Sequence, residues 1–280
     1  MKKILISLSV IVAVGAIVAG ATGAFFSDTE TSTGNTFTAG AIDLKIDNRS
    51  YYNGVLQDGS DGTIANTTWL VAKDLKEGED FFFNFSDLKP GDWGEDTISI
   101  HINNNDAYAC VDVRLDSDDD NGLTEPESAV DSTDGAGNGE LADAIDFFWW
   151  VDDGDNVFES DETLIPAGPL GNLSVGEVAT IALAEPGNGG IFGGALTGGQ
   201  TYFIGKAWCF GTSRFLAYPD VNISGVNIDT SPIERPVTCN GSGEGNETQT
   251  DSMTATISFY VEQARNNDGF SCVSHLTTGF

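Results

Sequence analysis

The stretch Thr97–Ile102, TISIHI, sets Ile98, Ile100 and Ile102 on one face of the chain, and Cys110–Leu115, CVDVRL, does the same with Val111, Val113 and Leu115. An apolar period of two residues suits a strand half-buried against a core and forms no single stripe along a helix. The intervening Asn103–Asp106 is rich in turn formers, so the pair reads as a hairpin. Thr201–Phe210 repeats the period, with Tyr202, Ile204, Lys206 and Trp208 on one face and Phe203, Ala207 and Cys209 on the other. Thr254–Glu262, TATISFYVE, and Glu177–Ala184 are further strands. Thr67–Ala72 is a short strand, and Asp80–Phe85, with phenylalanine at 81, 82 and 83, is a clearer one. Leu141–Trp150 begins as a helical turn and ends as a buried strand, while Pro90-Gly91 marks a tight turn. No amphipathic helix follows the N-terminal leader. The expected fold is therefore all-β, an antiparallel β-sandwich with long acidic loops.

Charge narrows the range of partners. The chain of 280 residues carries 43 acidic and 12 basic residues, a formal net charge of −31. Phosphate backbones would be repelled, which excludes nucleic acid as a partner. Such a surface favours cations and suits a salty medium. The four cysteines, Cys110, Cys209, Cys239 and Cys272, lie in no CxxC pair and fit an exported protein with two disulfides. Three pairings are possible; the preferred one closes a polar excursion with Cys209–Cys239 and joins Cys110 to Cys272.

Lys2 and Lys3 precede the apolar run Ile4–Ala19, and the small residues Thr22, Gly23 and Ala24 follow, so residues 1–24 read as a signal helix cleaved after Ala24. The run Ile4–Phe26 is also long enough to span a bilayer as a retained anchor. After the leader comes an extended arm, residues 25–40, with Phe25, Phe26, Thr29, Thr31, Thr33 and Phe37 in β-favouring alternation. The apolar phase shifts by one residue at Gly40, as at a bulge or a link between two strand segments. Ala41–Asp47 is then the first strand of a single domain, residues 41–280, with insertions at about 116–140 and 211–250. Asn48–Asp61 reads as a loop. Sequons stand at Asn48, Asn66, Asn84, Asn172, Asn222, Asn240 and Asn246.

Two acidic loops are the candidates for metal binding. In Asp116–Glu127, DSDDDNGLTEPE, the carboxylates of Asp116, Asp118 and Asp120 alternate and Glu127 stands twelfth, as in an EF-hand loop. Asn121 occupies the position where that loop has glycine and no helices flank it, so the expectation is a calcium-type loop of another kind. In Asp152–Glu162, DDGDNVFESDE, Asp153, Asp155 and Asp161 offer hard oxygen ligands at the exit of an aromatic strand. Evidence for catalysis is sparse. The histidines are His101 and His275, HExxH and GxSxG are absent, and the glycine-rich Gly187–Gly199 lacks the lysine of a phosphate loop. The chain is expected not to be an enzyme, and His101, inside an alternating strand, is expected to be structural.

Three segments together resemble the camelysin/TasA family of secreted biofilm-matrix proteins. They are the leader with Ala24–Asp47, AFFSDTETSTGNTFTAGAIDLKID; Phe85–Leu115, FSDLKPGDWGEDTISIHINNNDAYACVDVRL; and Thr256–Asn267, TISFYVEQARNN. The resemblance implies a jelly-roll sandwich, processing by a dedicated signal peptidase, and export to the matrix or cell surface. It also implies head-to-tail assembly with copies of itself into extracellular fibres or pilus-like filaments, the arm of one subunit completing the sheet of the next. On that reading the membrane is met only through the leader before cleavage. Two alternatives remain: a secreted camelysin-like metallopeptidase, and a membrane-anchored monomeric surface adhesin.

Overall fold

A computed structural model of the chain describes residues 42–60, 62–64, 66–165, 173–214, 217 and 237–275. The chain divides into two units, Met1–Ala39 and Gly40–Phe280, and every described residue belongs to the second. The expected signal helix, the arm from Phe25 to Phe37 and the boundary at Gly40 lie outside the described residues.

In chain order the strands are β1 (Leu44–Tyr52), β2 (Val55–Leu56), β3 (Trp69–Lys73), β4 (Trp93–Ile102), β5 (Ala107–Asp119), β6 (Ile145–Asp152), β7 (Leu164–Ile165), β8 (Val178–Ala184), β9 (Gln200–Phe210), β10 (Thr212–Arg214), β11 (Thr238–Asn240) and β12 (Ser252–Gln263). Two short helices, α1 (Leu141–Ala144) and α2 (Cys272–His275), complete the described elements of regular structure together with single 3-10 turns. One sheet runs β2-β1-β4-β9-β6-β7 with β3 also on β1, and a second runs β12-β5-β8. All pairings are antiparallel. The sheets share one core: Ile98, Ile100 and Ile102 of β4, Ile204 and Trp208 of β9, and Phe147 and Trp149 of β6 meet Val111 and Val113 of β5 and Ile181 and Leu183 of β8. This is an antiparallel β-sandwich, as the alternation implied.

Four local readings change. β4 and β5 do not form a hairpin. β4 pairs with β1 and β9, whereas β5 pairs with β12 and β8, so Asn103–Asp106 carries the chain from one sheet to the other. Alternation reports a buried face, and both strands bury theirs in the same core from opposite sides. Asn48–Tyr52 is strand rather than loop. Its inward positions are polar, but Asn48 Nδ2 donates to Thr67 O at 2.7 Å and to Asp96 Oδ1 at 3.4 Å. The hairpin to β2 turns on Asn53 and Gly54, both at positive φ (48° and 76°), where asparagine and glycine are tolerated. Asn48 is fully buried, so that sequon offers no room for a glycan.

Asp80–Phe85 is not a strand. Phe82 packs into the core and its carbonyl accepts from Lys206 Nζ at 3.0 Å, so the aromatic run plugs the sandwich without joining a ladder. The Lys206 ammonium is fully buried, 2.6 Å from Asp96 Oδ2 and over the Phe83 ring. The last change concerns Asp116–Glu140, of which Asp116–Asp119 continues β5 because β12 supplies partners as far as Ser252.

Two disulfides cross-link the described chain. Cys110 bonds Cys272, tying the tail to the outer face of β5 among Tyr108, Tyr260 and Phe270. Cys209 bonds Cys239, fastening the β10-β11 ribbon to β9. This is the pairing preferred from the polar excursion.

Candidate metal centre

The continuation of β5 decides which acids of the first loop are available. Asp116 is occupied within the sheet: its Oδ1 accepts from Arg114 Nε and its Oδ2 from Thr256 Oγ1, both at 2.5 Å. Asp118 Oδ1 accepts from Ala142 N at 3.3 Å. Burial, opposed by that amide and reinforced by the charges of Asp251, Asp143 and Asp119, raises its pKa to about 6. Beyond β5, Asp120 bridges to Gly135 by paired backbone bonds of 3.3 and 3.1 Å, and the chain then turns back through a 3-10 turn, Glu127–Ala129.

Asp120 and Glu127 converge with Asp251, the residue before β12, so that one carboxylate oxygen of each lies within 4.8 Å of the others. Each carboxylate is held by one oxygen. Asp120 Oδ1 accepts from Gly122 N at 2.8 Å; Glu127 Oε2 accepts from Thr124 N at 3.0 Å and from Thr250 Oγ1 at 3.3 Å; Asp251 Oδ2 accepts from Glu140 N at 2.7 Å and Leu141 N at 3.1 Å. Burial pushes the Asp251 carboxyl up, the Glu140 amide opposes this, and the charges of Asp120 and Glu127 add to it. Glu140 stands beside the group with its pKa raised to about 7, chiefly by burial and then by the charges of Asp131 and Asp251.

Asp251 escaped the sequence reading. Its signal was the register: Ser252 pairs with Asp119, and one step further the same antiparallel register sets Asp251 opposite Asp120. Of the four acids expected in this loop, Asp120 and Glu127 come together, whereas Asp116 and Asp118 remain with the sheet.

The second loop brings Asp153 and Asp155 together with Glu159, and Asp153 also with Asp152 and Glu162. Asp161 is in neither group. Here the buried carboxylates are largely satisfied by the protein. Asp152 Oδ1 accepts from Trp150 Nε1 at 3.0 Å and its Oδ2 from Gly154 N and Asn156 N; Glu162 accepts from Asp153 N and Glu159 N, one on each oxygen, at 2.9 Å. Burial remains the leading cause of the raised pKa values, about 7 for Asp152 and about 8 for Glu162. Asp155 Oδ1 caps the turn by accepting from Val157 N at 2.9 Å.

His101 stands on β4, its Nε2 2.6 Å from Asp47 Oδ2 and its Nδ1 3.0 Å from Thr201 Oγ1. It joins three neighbouring strands, β1, β4 and β9, on one sheet face. Among the described residues the groups spaced to hold an ion are made of carboxylates alone.

Fold and site together define a disulfide-linked antiparallel β-sandwich with an all-carboxylate cluster where one sheet edge begins. Residues 1–57 match the model of a family described as camelysin metallo-endopeptidase. The matched residues include the first of the three resembling segments, and their described part is β1 and β2 with the residues beside them. No curated protein matches the chain.

Proposed function

We infer that the chain is a secreted structural subunit that polymerises with copies of itself, the arm Phe25–Ala39 of one copy adding to the outer edge of β12 in the next. The observation that carries this reading is the state of β12. It has β5 on one side, and among the described residues no strand on the other. Its inward-facing Ile257, Phe259 and Val261 pack on the core yet are only partly buried. An edge strand of this length exposes unpaired amides and carbonyls, and an added strand satisfies them while covering the apolar row. Beside the start of β12 a cleft of about 920 Å³ opens between the sheets, lined by Phe83, Phe85, Phe147, Trp208 and Met253 among others. That cleft has an aromatic wall, faced by polar residues from Glu244 to Ser252, and the aromatic wall is where Phe25, Phe26 or Phe37 of an incoming arm would enter. The matched family model and the two disulfides, which suit an oxidising compartment, support export.

Electron microscopy of the full chain and of a chain beginning at Gly40 tests the reading. Filaments from the first and none from the second are expected; equal filaments from both would reject strand donation. The rival reading, a metal-dependent peptidase, rests on the name of the matched family. Casein cleavage by the pure protein, abolished by chelator, would establish it. The second rival, a monomeric adhesin held by its leader, would show the leader in the intact mass and no polymer.

A further inference from the structure

We propose that Asp120, Glu127 and Asp251 form a binding site for a hard divalent cation of the calcium class. Acidic residues near one another are common on so charged a surface, but this group differs in the state of its free oxygens. Asp120 is 2% exposed and Glu127 is 0% exposed, yet Asp120 Oδ2 and Glu127 Oε1 have no hydrogen-bond donor, and neither does Asp251 Oδ1. No ion pair joins any of the three to a basic residue among the described residues. Burying a carboxylate oxygen without a donor carries a penalty of about 1–3 kcal/mol, and more when the group is charged. Three such groups repel one another besides. A cation between them removes both penalties at once.

The donor set indicates which cation. All three ligand residues are carboxylates, with no histidine or cysteine in the group, which suits a hard ion rather than zinc. Their oxygens lie within 4.8 Å of one another, a spacing that ligands about 2.3–2.6 Å from one calcium ion span. The ligands come from a strand end, a 3-10 turn and the residue before another strand, an irregular frame that suits calcium better than the strict octahedron of magnesium. The other oxygen of each carboxylate is already fixed by a backbone amide, so the ligands are oriented before the ion arrives. Glu140 Oε2 is likewise without a donor, and the charges of Asp251 and Asp120 act on it, so it is a further acid beside the site. The ion would stitch the end of β5 to the start of β12. The site is independent of polymerisation and holds whether or not the chain assembles.

The test uses the full chain stripped with chelator. Calcium is titrated by calorimetry and by thermal unfolding, against Glu127→Gln, Asp251→Asn and, as a control in the second loop, Asp161→Asn, which lies in neither carboxylate group. Calcium should raise the melting temperature of the native chain and of D161N. E127Q and D251N should bind about tenfold or more weakly, the scale on which metal sites respond even to loss of a supporting contact. Their melting temperatures in chelator should equal or exceed that of the native chain, because a buried charge has been removed; this separates lost binding from misfolding. Undiminished binding in both E127Q and D251N, no response to millimolar calcium, or an equal response to magnesium would overturn the proposal.

Discussion

β8 and β12 flank the same central strand, β5, but their outer edges are finished differently. At the end of β8 the chain folds back on itself, so that Ile191 N donates to Ala182 O at 3.0 Å and Phe192 N to Leu183 O at 2.9 Å. Ile181 and Leu183 are buried, and the fold-back covers the Ala182–Leu183 end of β8 while Val178–Thr180 stay partly exposed. β12 is longer, has no such cover among the described residues, and leaves its inward Ile257, Phe259 and Val261 partly exposed. Natural sheets ordinarily cover or disrupt an edge to prevent unwanted pairing. On the reading proposed above, the edge that takes the incoming strand is the one left open among the described residues, whereas the end of β8 is covered by its own chain.

The largest expected effect comes from the strand that both edges share. Replacing Cys110 and Cys272 together by serine opens a loop spanning a separation of 162 residues, and the chain-entropy account sets the loss at about 5 kcal/mol. Denaturant unfolding measures it. Because the change is common to both edges, whatever fraction stays folded should still polymerise through β12; growth through β8 instead would break the comparison.

Opening the closed edge is the next test. Gly190 has φ +84°, and a Cβ there would lie 2.6 Å from Leu183 O. Gly190→Val should lift the cover from β8 at a cost of about 2–3 kcal/mol. Light scattering should then report new, disordered association that the native chain lacks; unchanged scattering and stability would mean that the cover is not what protects β8.

A change remote from both edges sharpens the contrast by leaving polymerisation alone. Glu95 is buried on the outer face of β4, and burial pushes its carboxyl well above the usual range, with Asp96 and Asp152 adding to this and the Val237 amide opposing. The folded state thus holds the proton more tightly than the unfolded state does. Its contribution is complete below the unfolded pKa of about 4.3 and is lost as pH rises towards the folded value, by up to about 1.4 kcal/mol per unit. Glu95→Gln should flatten this fall and raise the melting temperature at neutral pH without altering filaments. A steeper fall would reverse the assignment.

The smallest effect concerns the open edge itself. Val261→Thr keeps the shape of a partly exposed side chain and should lower the stability of the isolated chain by only about 1 kcal/mol. The concentration needed for polymerisation should rise more than that loss alone explains. A matched effect in both states would place the incoming strand elsewhere.

How far these features could be read in advance follows from what residue patterns encode. Ile98, Ile100 and Ile102 announce a strand with a buried face, but the same alternation cannot name the partner, and β4 and β5 proved to belong to opposite sheets. The second half of β1 was hidden because its inward Asn48 and Ser50 are polar, a choice that makes sense only beside Asp96 and Thr67. Three phenylalanines in a row favour a strand by propensity, yet Phe82 is drawn into the core instead, its carbonyl accepting from Lys206 Nζ. For the carboxylate cluster the spacing within Asp116–Glu127 found Asp120 and Glu127. Asp251 depends on long-range register, and Asp116 was lost to the sheet by a partner, Thr256, far away in sequence.

Hydrogen exchange along Ser252–Gln263, compared between monomer and filament, tests the role of the open edge most directly. The amides of β12 that point away from β5 should exchange freely in the monomer and become protected on polymerisation, while protection at β8 stays as it was. Filaments that form with the exchange of β12 unchanged would contradict the account.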